Sequence, residues 1–305
     1  MRYSRQELFL GKEAQELLSK KTAAVIGLGA LGSLAGELLA RTGVNLILVD
    51  RDIVDITNLQ RQTLYNEDDV NRLKAIQAKE HLMKINSEIN IEHYSIDLDS
   101  TNINGVKADI ILDCTDNLET RFLLNEYCVK NKIPLVHAAA IKDIGTVMNI
   151  FNDACLRCVV KEASNLETCD TVGILNTTSS LVSSLQANEA IKILLNREYE
   201  KNLLRINLRD NTIDKIKINK NNDCPVCNGK YEYLNTRPKN TIKLCGNGYQ
   251  IKGRHNLNDL KKRLNCKDLN ECLVFENMTI FQDRAIIKAE TKELARILYA
   301  KYIGS

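Results

Sequence analysis

Short apolar runs alternate with longer amphipathic segments over the first two thirds of the chain. Residues 22–26 are apolar and partly β-branched, which predicts a buried strand. Residues 33–41 have the apolar spacing of a helix, which Gly43 closes. Further strands are predicted at residues 46–49, 89–93, 108–117 (with a polar end) and 135–139, and further helices at residues 6–19, 74–85, 118–131 and 179–195.

Strands that alternate with helices predict an α/β fold. We expect a doubly wound, Rossmann-like sheet that is covered by helices on both faces. After residue 237 the pattern changes to short strands and two helices, which predicts a small α+β domain. The expected organisation is therefore a larger domain at residues 1–230 and a C-terminal domain at residues 238–305.

Three glycines, Gly27, Gly29 and Gly32, follow the first predicted strand in G-x-G-x-x-G spacing. Such glycines allow a tight turn, the approach of the backbone to phosphate, and close packing of helix on strand. The next helix presents free N–H groups to an anion, and Asp50, at the end of the next strand, is placed to bind a ribose hydroxyl. The alternative is a tight turn without a ligand, which the combination of strand, helix and acid disfavours.

A polar cluster comes shortly after this acid and distinguishes two classes of nucleotide-binding protein. An NAD-dependent oxidoreductase has no need for packed cationic and amide groups there, whereas a bound triphosphate requires neutralisation of its charge. The cluster therefore favours a nucleoside triphosphate. Its members are Thr57, Asn58, Leu59, Gln60, Arg61 and Gln62.

Other polar residues fall at strand ends and helix starts, where open α/β sheets bind ligands. Lys74 stands at the start of a predicted helix, against the helix dipole, which indicates another reason for its position. Asp116 is suited to Mg²⁺, which prefers one or two carboxylates together with nucleotide phosphates. The alternative is that Asp116 or Asn117 only caps the next helix, and the two roles are compatible.

Two Cys-x-x-Cys pairs occur far apart in the sequence, Cys155 with Cys158 and Cys224 with Cys227. Matched pairs favour a structural Zn²⁺ site with four sulfur ligands, which has no open position and is not catalytic. Two redox dithiols or unrelated cysteines are the alternatives. Cys169 lies in a polar stretch between the pairs, where it is either inert or a nucleophile with a lowered pKa.

Composition narrows the function classes further. The 305-residue chain has a net charge of +3, which argues against a nucleic acid as the main partner. No apolar stretch is long enough to span a bilayer, and residues 1–6 lack the apolar core of a signal peptide. Ten cysteines without a secretion signal indicate a reducing compartment, so we expect a cytoplasmic protein with no membrane partner.

Together these motifs resemble the ThiF/MoeB/HesA family, the bacterial and archaeal relatives of ubiquitin-activating enzymes. The resemblance covers residues 1–230 in order, and the combination is highly specific. The C-terminal part resembles, more loosely, the tail of ThiF-type adenylyltransferases of Gram-positive bacteria. The matching segments are residues 2–6, Gly27 to Gly32, Asp50, residues 58–62, Lys74, residues 116–121, Cys155 and Cys158, Cys169 with Gly173, residues 186–192, and Cys224 and Cys227.

The resemblance implies an adenylylation that uses ATP. The C-terminal carboxylate of a small ubiquitin-fold sulfur carrier, ThiS-like or MoaD-like, would attack the α-phosphate of ATP. A sulfur donor such as a cysteine desulfurase or a rhodanese would then convert that terminus to a thiocarboxylate for thiamine or molybdopterin biosynthesis. Asn58, Arg61 and Lys74 would neutralise charge on the phosphates, and Asp116 would position Mg²⁺.

The resemblance also implies a homodimer in which Arg5 reaches the ATP of the other subunit. It makes Cys169 a candidate for a covalent acyl link or a sulfur relay. The sequence departs from the family at residues 176–177, where Gly-Pro or Ala-Pro is common, and at residues 137–139, where a glycine is common. The alternatives are a tRNA-modifying dehydratase of the same superfamily, an NAD-dependent oxidoreductase and a non-catalytic scaffold.

Overall fold

The structure, a computed structural model, describes residues 2–160, 169–238, 240–244, 248–269 and 271–304, with residues 169 and 170 described by backbone alone. The chain divides into two compact units, Met1–Thr236 and Arg237–Ser305. The described helices of the first unit are α1 (Ser4–Leu10), α2 (Lys12–Ser19), α3 (Gly32–Thr42), α4 (Lys74–Ile85), α5 (Leu118–Asn131), α6 (Leu156–Val159), α7 (Cys169–Val172) and α8 (Asn176–Leu194). Its described strands are β1 (Thr22–Ile26), β2 (Asn45–Val49), β3 (Ile91–Tyr94), β4 (Ile110–Asp113), β5 (Leu135–Ile141), β6 (Ile144–Ile150), β7 (Leu203–Asn207) and β8 (Thr212–Ile216).

The strands of the first unit form one sheet in the order β3-β2-β1-β4-β5-β6-β7-β8. β1 pairs in parallel with both β2 and β4, so the chain winds outward from β1 in both directions. The outer pairs β2–β3 and β4–β5 are also parallel, whereas β5 to β8 pair antiparallel. The predicted Rossmann-like α/β sheet is confirmed, and its winding reverses between β1 and β4, at whose carboxyl ends such sheets bind ligands.

Successive residues of a strand point to opposite faces of the sheet, and both faces are covered. On one face, Ala23 and Val25 of β1 pack in a cluster with α3, α4 and α8. On the other face, Ala24 and Ile26 pack with α5 and with the segments that carry the two cysteine pairs. A strand that is buried on both faces is apolar along most of its length, and for this reason the short apolar runs in the sequence predicted β1, β2, β4 and β5.

The structure differs from the sequence prediction at several elements. The helix expected over residues 6–19 is two helices, because Gly11 between α1 and α2 has a φ of +90° and interrupts the helical backbone. α8 begins at Asn176 instead of residue 179, and β3 ends at Tyr94 instead of residue 93. The apolar pattern does not predict the antiparallel strands β6 to β8, and β8 is exposed along its whole length.

The second unit contains a separate sheet in the order β11-β12-β13-β14-β10-β9, in which the described pairings are antiparallel. Tyr249, Ile280 and Ile287 lie in its buried cluster. None of the described helices in either unit is both long enough and apolar enough to cross a membrane. The described elements of the second unit are β9 (Thr241–Leu244), β10 (Gly248–Lys252), α9 (Leu257–Arg263), β11 (Lys267–Asp268), β12 (Leu273–Phe275), β13 (Met278–Ile280), β14 (Arg284–Lys288) and α10 (Lys292–Tyr302).

Candidate functional site

The glycine loop joins the carboxyl end of β1 to α3. Gly27 has a φ of +88°, and a Cβ atom there would lie 2.8 Å from the carbonyl oxygen of Cys114. A Cβ atom on Gly32 would overlap the carbonyl oxygen of Gly27. The turn and the packing of the helix on the strand therefore require these two glycines.

Gly29 differs from the other two glycines of the motif, because its φ lies outside the left-handed region. Among the described residues, the only atom within 4 Å of a Cβ placed on Gly29 is Nε2 of Gln62, at 3.8 Å. Folding therefore does not require a glycine here. The open space over Gly29 is where a phosphate can approach the backbone at the start of α3.

Two buried polar atoms beside the loop lack a hydrogen-bond partner among the described residues: Oγ of Ser33 and Oε1 of Gln62. Ser33 is fully buried in the first turn of α3, and Gln62 is 3% exposed. A buried polar group without a partner costs about 1–3 kcal/mol, which a bound ligand or an ordered water offsets. These atoms fit a site that a polar ligand completes.

Asp50 directly follows β2, and hydrogen bonds fix both oxygens of its buried carboxylate. The backbone N–H of Leu28 donates to Oδ2 at 2.6 Å, and that of Asp52 donates to Oδ1 at 2.7 Å. Burial raises the pKa of Asp50; the charge of Lys74 opposes this effect, and the charge of Asp52 adds to it. A carboxylate oxygen accepts more than one hydrogen bond, so the same group has capacity for a ribose hydroxyl.

Lys74 is the first residue of α4 and is only 6% exposed. Its Nζ lies 3.6 Å from Oδ2 of Asp52. Burial opposes the positive charge, but Asp52, Asp50 and Asp116 together raise the pKa of Lys74 above its usual value. Because the helix dipole disfavours a lysine here, these carboxylates are what keeps a buried ammonium group at this position.

Tyr65 links the start of α4 to the glycine loop. Its hydroxyl lies 3.1 Å from the carbonyl oxygen of Leu28 and 3.3 Å from that of Lys74, and it donates to one of them at a time. The backbone of Leu28 therefore has two partners: its N–H donates to Asp50, and its carbonyl oxygen lies next to the hydroxyl of Tyr65. Asp50, the glycine loop and the start of α4 at Lys74 therefore form one connected unit.

The predicted polar cluster begins with a short helical turn, Ile56–Asn58. The turn is capped reciprocally: Oδ1 of Asp55 accepts from the N–H of Thr57 at 3.0 Å, and Oδ1 of Asn58 accepts from the N–H of Asp55 at 3.2 Å. Nη1 of Arg61 donates to the carbonyl oxygen of Thr57 at 2.9 Å. These bonds order the segment that carries Asn58 and Arg61.

The loop after β4 carries Asp116 and Asn117. Asn117 caps α5, because its Oδ1 accepts the N–H of Thr120 at 2.9 Å. Asp116 is exposed. Burial opposes the positive charges of Lys74 and Arg51, but nearby carboxylates, Asp116 among them, raise the pKa of both side chains. The carboxylate of Asp116 is therefore within electrostatic range of these two cations.

A buried network that includes His137, one of the departures from the family pattern, supports this loop. Nδ1 of His137 lies 2.7 Å from Oδ2 of Asp113, and Oγ1 of Thr115 donates to Oδ1 at 2.7 Å. Burial opposes ionisation of Asp113, but the hydrogen bond and charge of His137 bring its pKa below the usual value. Arg121 donates to the carbonyl oxygen of Thr115 at 2.6 Å, so the backbone next to Asp116 is fixed.

The structure thus brings Asp50, Lys74 and the glycine loop together, with Asp116 in electrostatic range. Arg5 lies apart from them in sequence, exposed on α1. The backbone of Cys169 begins α7, whereas its side chain lies outside the described residues. Asp52, which contacts Lys74, is not among the predicted site residues, and the alternation of Asp50 and Asp52 at a strand end was the signal for it.

The four cysteines of the two Cys-x-x-Cys pairs meet in one cluster. Sγ of Cys155 lies 3.9 Å from that of Cys158 and 3.5 Å from that of Cys224, and Sγ of Cys158 lies 3.5 Å from that of Cys227. All four sulfur atoms are within 4.8 Å of one another. A tetrahedral zinc with Zn–S bonds of about 2.3 Å places its sulfur ligands about 3.8 Å apart, so the spacing fits one metal ion.

Helix α5 holds both segments that carry the cysteines. Oδ1 of Asn125 accepts the N–H of Leu156, between the first two cysteines, at 2.8 Å. The carboxylate of Glu126 accepts the N–H groups of Glu232 and Leu234, just after the second pair, each at 3.0 Å. The same helix begins next to Asp116, so one rigid element joins the nucleotide edge of the sheet to the cysteine cluster.

The structure thus has an α/β fold in which a glycine loop, the buried carboxylate of Asp50 and the buried Lys74 lie at the carboxyl ends of the strands, where such folds bind nucleotides. The sequence profile of the ThiF family matches residues 3–226. The chain belongs to the ThiF family, as its motifs predict.

Relatives of this chain are named as adenylyltransferases or activating enzymes. The sulfur carrier protein ThiS adenylyltransferase of Bacillus subtilis is 33% identical, over 99% of this chain and 99% of that protein. The SAMP-activating enzyme E1 of Haloferax volcanii is 37% identical over 74% of this chain and 88% of its own length. The molybdopterin-synthase adenylyltransferase of Escherichia coli is 38% identical over 64% of this chain and 82% of its own length. Among solved structures, E. coli MccB with ATP has a TM-score of 0.67 and 25% identity, covering 74% of this chain and 73% of that chain.

The geometry of the glycine loop predicts that Gly29→Ala separates folding from binding. The protein should keep its thermal midpoint, because a Cβ meets no atom closer than 3.8 Å. Its affinity for ATP, measured by titration calorimetry, should fall about tenfold or more, because the methyl group occupies the phosphate approach. Gly32→Ala is the matched control and should lower the thermal midpoint. Wild-type affinity of the Gly29→Ala protein would show that phosphate does not approach there.

Proposed function

We propose that this protein adenylylates the C-terminal carboxylate of a small ubiquitin-fold sulfur carrier, with ATP as the donor. Sulfur from a donor protein would then displace AMP from the activated terminus and leave a thiocarboxylate for thiamine or molybdopterin biosynthesis. The observation that carries the proposal is the similarity to the B. subtilis ThiS adenylyltransferase over 99% of both chains. The named relatives favour this reaction over the dehydratase and oxidoreductase alternatives.

In the proposed reaction, a carboxylate oxygen of the carrier bonds to the α-phosphorus of ATP. The bond from that phosphorus to the oxygen bridging to the β-phosphate breaks, and pyrophosphate leaves. No general base is required, because the attacking carboxylate is already ionised at pH 7. Charge builds on the departing pyrophosphate, and Lys74, Arg61 and Asn58 would supply the cationic and amide groups that stabilise it.

Two metal ions belong to the proposal, with separate roles. Asp116, the exposed carboxylate after β4, would contribute to holding Mg²⁺ against the triphosphate, since Mg²⁺ combines one or two carboxylates with phosphate oxygens. The cluster of Cys155, Cys158, Cys224 and Cys227 would hold a structural Zn²⁺. A role of Cys169 in sulfur transfer stays a prediction, because adenylylation itself uses no thiol.

A homodimer with Arg5 acting across the subunit boundary is also part of the proposal. Leu8 and Phe9 follow Arg5 by three and four residues, so all three lie on one face of α1. Leu8 is 80% exposed and Phe9 is 84% exposed. Large apolar side chains this exposed favour burial against another protein surface, and a second copy of the chain would carry Arg5 to its partner's nucleotide.

Mixed dimers test this arrangement. Arg5→Ala and Lys74→Ala proteins should each be inactive alone. After subunit exchange they should recover about a quarter of wild-type pyrophosphate exchange, since half of the dimers are hybrids and each hybrid has one complete site. A mixture of Arg5→Ala with the Arg5→Ala, Lys74→Ala double variant is the control and should stay inactive. No recovery in verified hybrids would place Arg5 in its own subunit's site or outside the reaction.

The reaction itself is tested by exchange of labelled pyrophosphate into ATP. We expect exchange that requires a ThiS-like or MoaD-like carrier and is lost when the carrier's C-terminal carboxylate is converted to an amide. The carrier that supports the faster exchange identifies the pathway. Exchange that proceeds equally without a carrier, or with the amidated one, would contradict the proposal.

A further inference from the structure

Arg51 connects the carboxyl ends of two neighbouring strands. It stands between Asp50 and Asp52 after β2, and its Nη1 donates to Oδ1 of Asp97 at 2.8 Å. Asp97 follows β3, the strand next to β2 at the edge of the sheet. The side chain of Asp97 is 8% exposed and that of Arg51 is 17% exposed. The ion pair is therefore largely buried, and part of the Arg51 side chain remains accessible at the nucleotide edge.

The strand order places this guanidinium on the side of Asp50 that lies away from the phosphate cradle. The cradle follows β1, Asp50 follows β2, and the anchor of Arg51 follows β3, in the sheet order β3-β2-β1. A nucleotide whose phosphates lie over Gly29 and whose ribose binds Asp50 extends its base beyond that acid. Arg51 therefore lies on the β3 side of Asp50, towards the base. It shares Asp52 with Lys74, which lies towards the triphosphate.

The charges around Arg51 give it a fixed orientation. Nε lies 3.9 Å from Oδ1 of Asp52 in addition to the contact with Asp97. Burial opposes the charge, but Asp52, Asp97 and Asp116 raise the pKa of Arg51 above its usual value, so the guanidinium stays protonated. A planar cation that is held by its edges loses little further entropy when it stacks on an aromatic ring.

We propose that Arg51 recognises the base of the bound nucleotide by stacking its guanidinium on the aromatic ring, and that Asp97 positions it for this contact. This inference rests on the proposed function only in that a nucleoside triphosphate is the ligand. Stacking of arginine on an aromatic face is favourable, and a lysine with the same charge lacks the planar group. The contact makes binding depend on the base and not only on the triphosphate.

Two other roles of Arg51 predict different behaviour. If Arg51 only neutralised phosphate charge, a lysine in its place would retain the affinity for ATP. If it only tied the ends of β2 and β3 together, its loss would weaken every ligand of the site equally. A ligand that keeps the ribose and triphosphate but lacks the base separates these roles from stacking.

The test compares the binding of ATP and of ribose 5-triphosphate, both with Mg²⁺, by titration calorimetry. Arg51→Lys should weaken ATP binding by between about 2-fold and 30-fold and leave ribose 5-triphosphate binding unchanged. Asp97→Asn, which removes the positioning charge, should weaken ATP selectively but by a smaller factor. Arg41→Lys, at an exposed ion pair on α3, is the matched control and should change neither ligand.

The outcomes separate this inference from the function on which it rests. An equal loss of both ligands in Arg51→Lys would assign Arg51 a structural role, and unchanged ATP affinity would assign it a charge role; either result overturns the stacking contact while ATP binding by the wild type stands. A wild-type protein that binds no ATP would overturn the proposed function together with this inference.

Discussion

Replacing Lys74 by methionine should lower carrier-dependent ATP–pyrophosphate exchange by about 10²- to 10³-fold, the usual cost of losing one preorganised group that stabilises transition-state charge. Methionine keeps the length of the side chain but removes the ammonium group. That group is buried and surrounded by Asp50, Asp52 and Asp116, so water does not replace it easily. Initial exchange rates at saturating ATP and carrier measure the effect.

The same helix provides the control for this substitution. Lys84 lies exposed in the last turn of α4, and Lys84→Met should leave exchange unchanged. Denaturant unfolding of both variants checks that the fold is retained, because Lys74→Met leaves Asp50 and Asp52 without their nearest cation. An exchange rate within about threefold of the wild type would remove Lys74 from the reaction.

Loss of the metal should lower the thermal midpoint by about 10 °C or more. A structural metal site contributes its binding free energy to folding, and each kcal/mol shifts the midpoint of a domain of this size by roughly 2–4 °C. The effect is expected to be large because the cluster joins two segments whose backbone N–H groups also donate to Asn125 and Glu126 of α5. Calorimetric scans of the purified protein, before and after treatment with a strong chelator, measure the shift.

Metal content and a cysteine control complete this test. The wild type should carry one zinc ion per chain, and Cys224→Ser should carry less than one and unfold at a lower temperature. Cys266→Ser should keep a full zinc ion, because Cys266 lies outside the cluster and is partly exposed. Wild-type protein purified without chelator and free of zinc would contradict the assignment.

The parallel half of the sheet was predictable because burial on both faces leaves a clear apolar signal. Strands such as β1 and β4 are continuous apolar runs between turn residues. The antiparallel half gives a weaker signal: polar residues interrupt the apolar run of β6, β7 is only half buried, and β8 is fully exposed. The break at Gly11 was missed because a single glycine inside a helical pattern is ambiguous until its φ is known.

The candidate site was predictable where it is local in sequence. The glycine spacing, the acid after β2 and the two cysteine pairs each carry their own pattern. The partners of these groups were not predictable, because they depend on which strands are neighbours. Arg51 meets Asp97 across 46 residues, and Asp113 meets His137 across 24, contacts that only the order of the strands establishes.

The distance between the two cysteine pairs has a consequence for how the protein is made. Cys155 and Cys224 are 69 residues apart, and the whole nucleotide edge of the sheet is encoded before either of them. At about 5–20 residues per second, the ribosome needs on the order of 3–14 s to go from one to the other. For that time the first pair is a bare dithiol on a nascent chain, exposed to oxidants and to competing metals. With the proposed Zn²⁺ in the cluster, maturation would end with metal capture, and a cell short of zinc would accumulate full-length chains that are folded at the nucleotide edge but lack the metal at the cysteines.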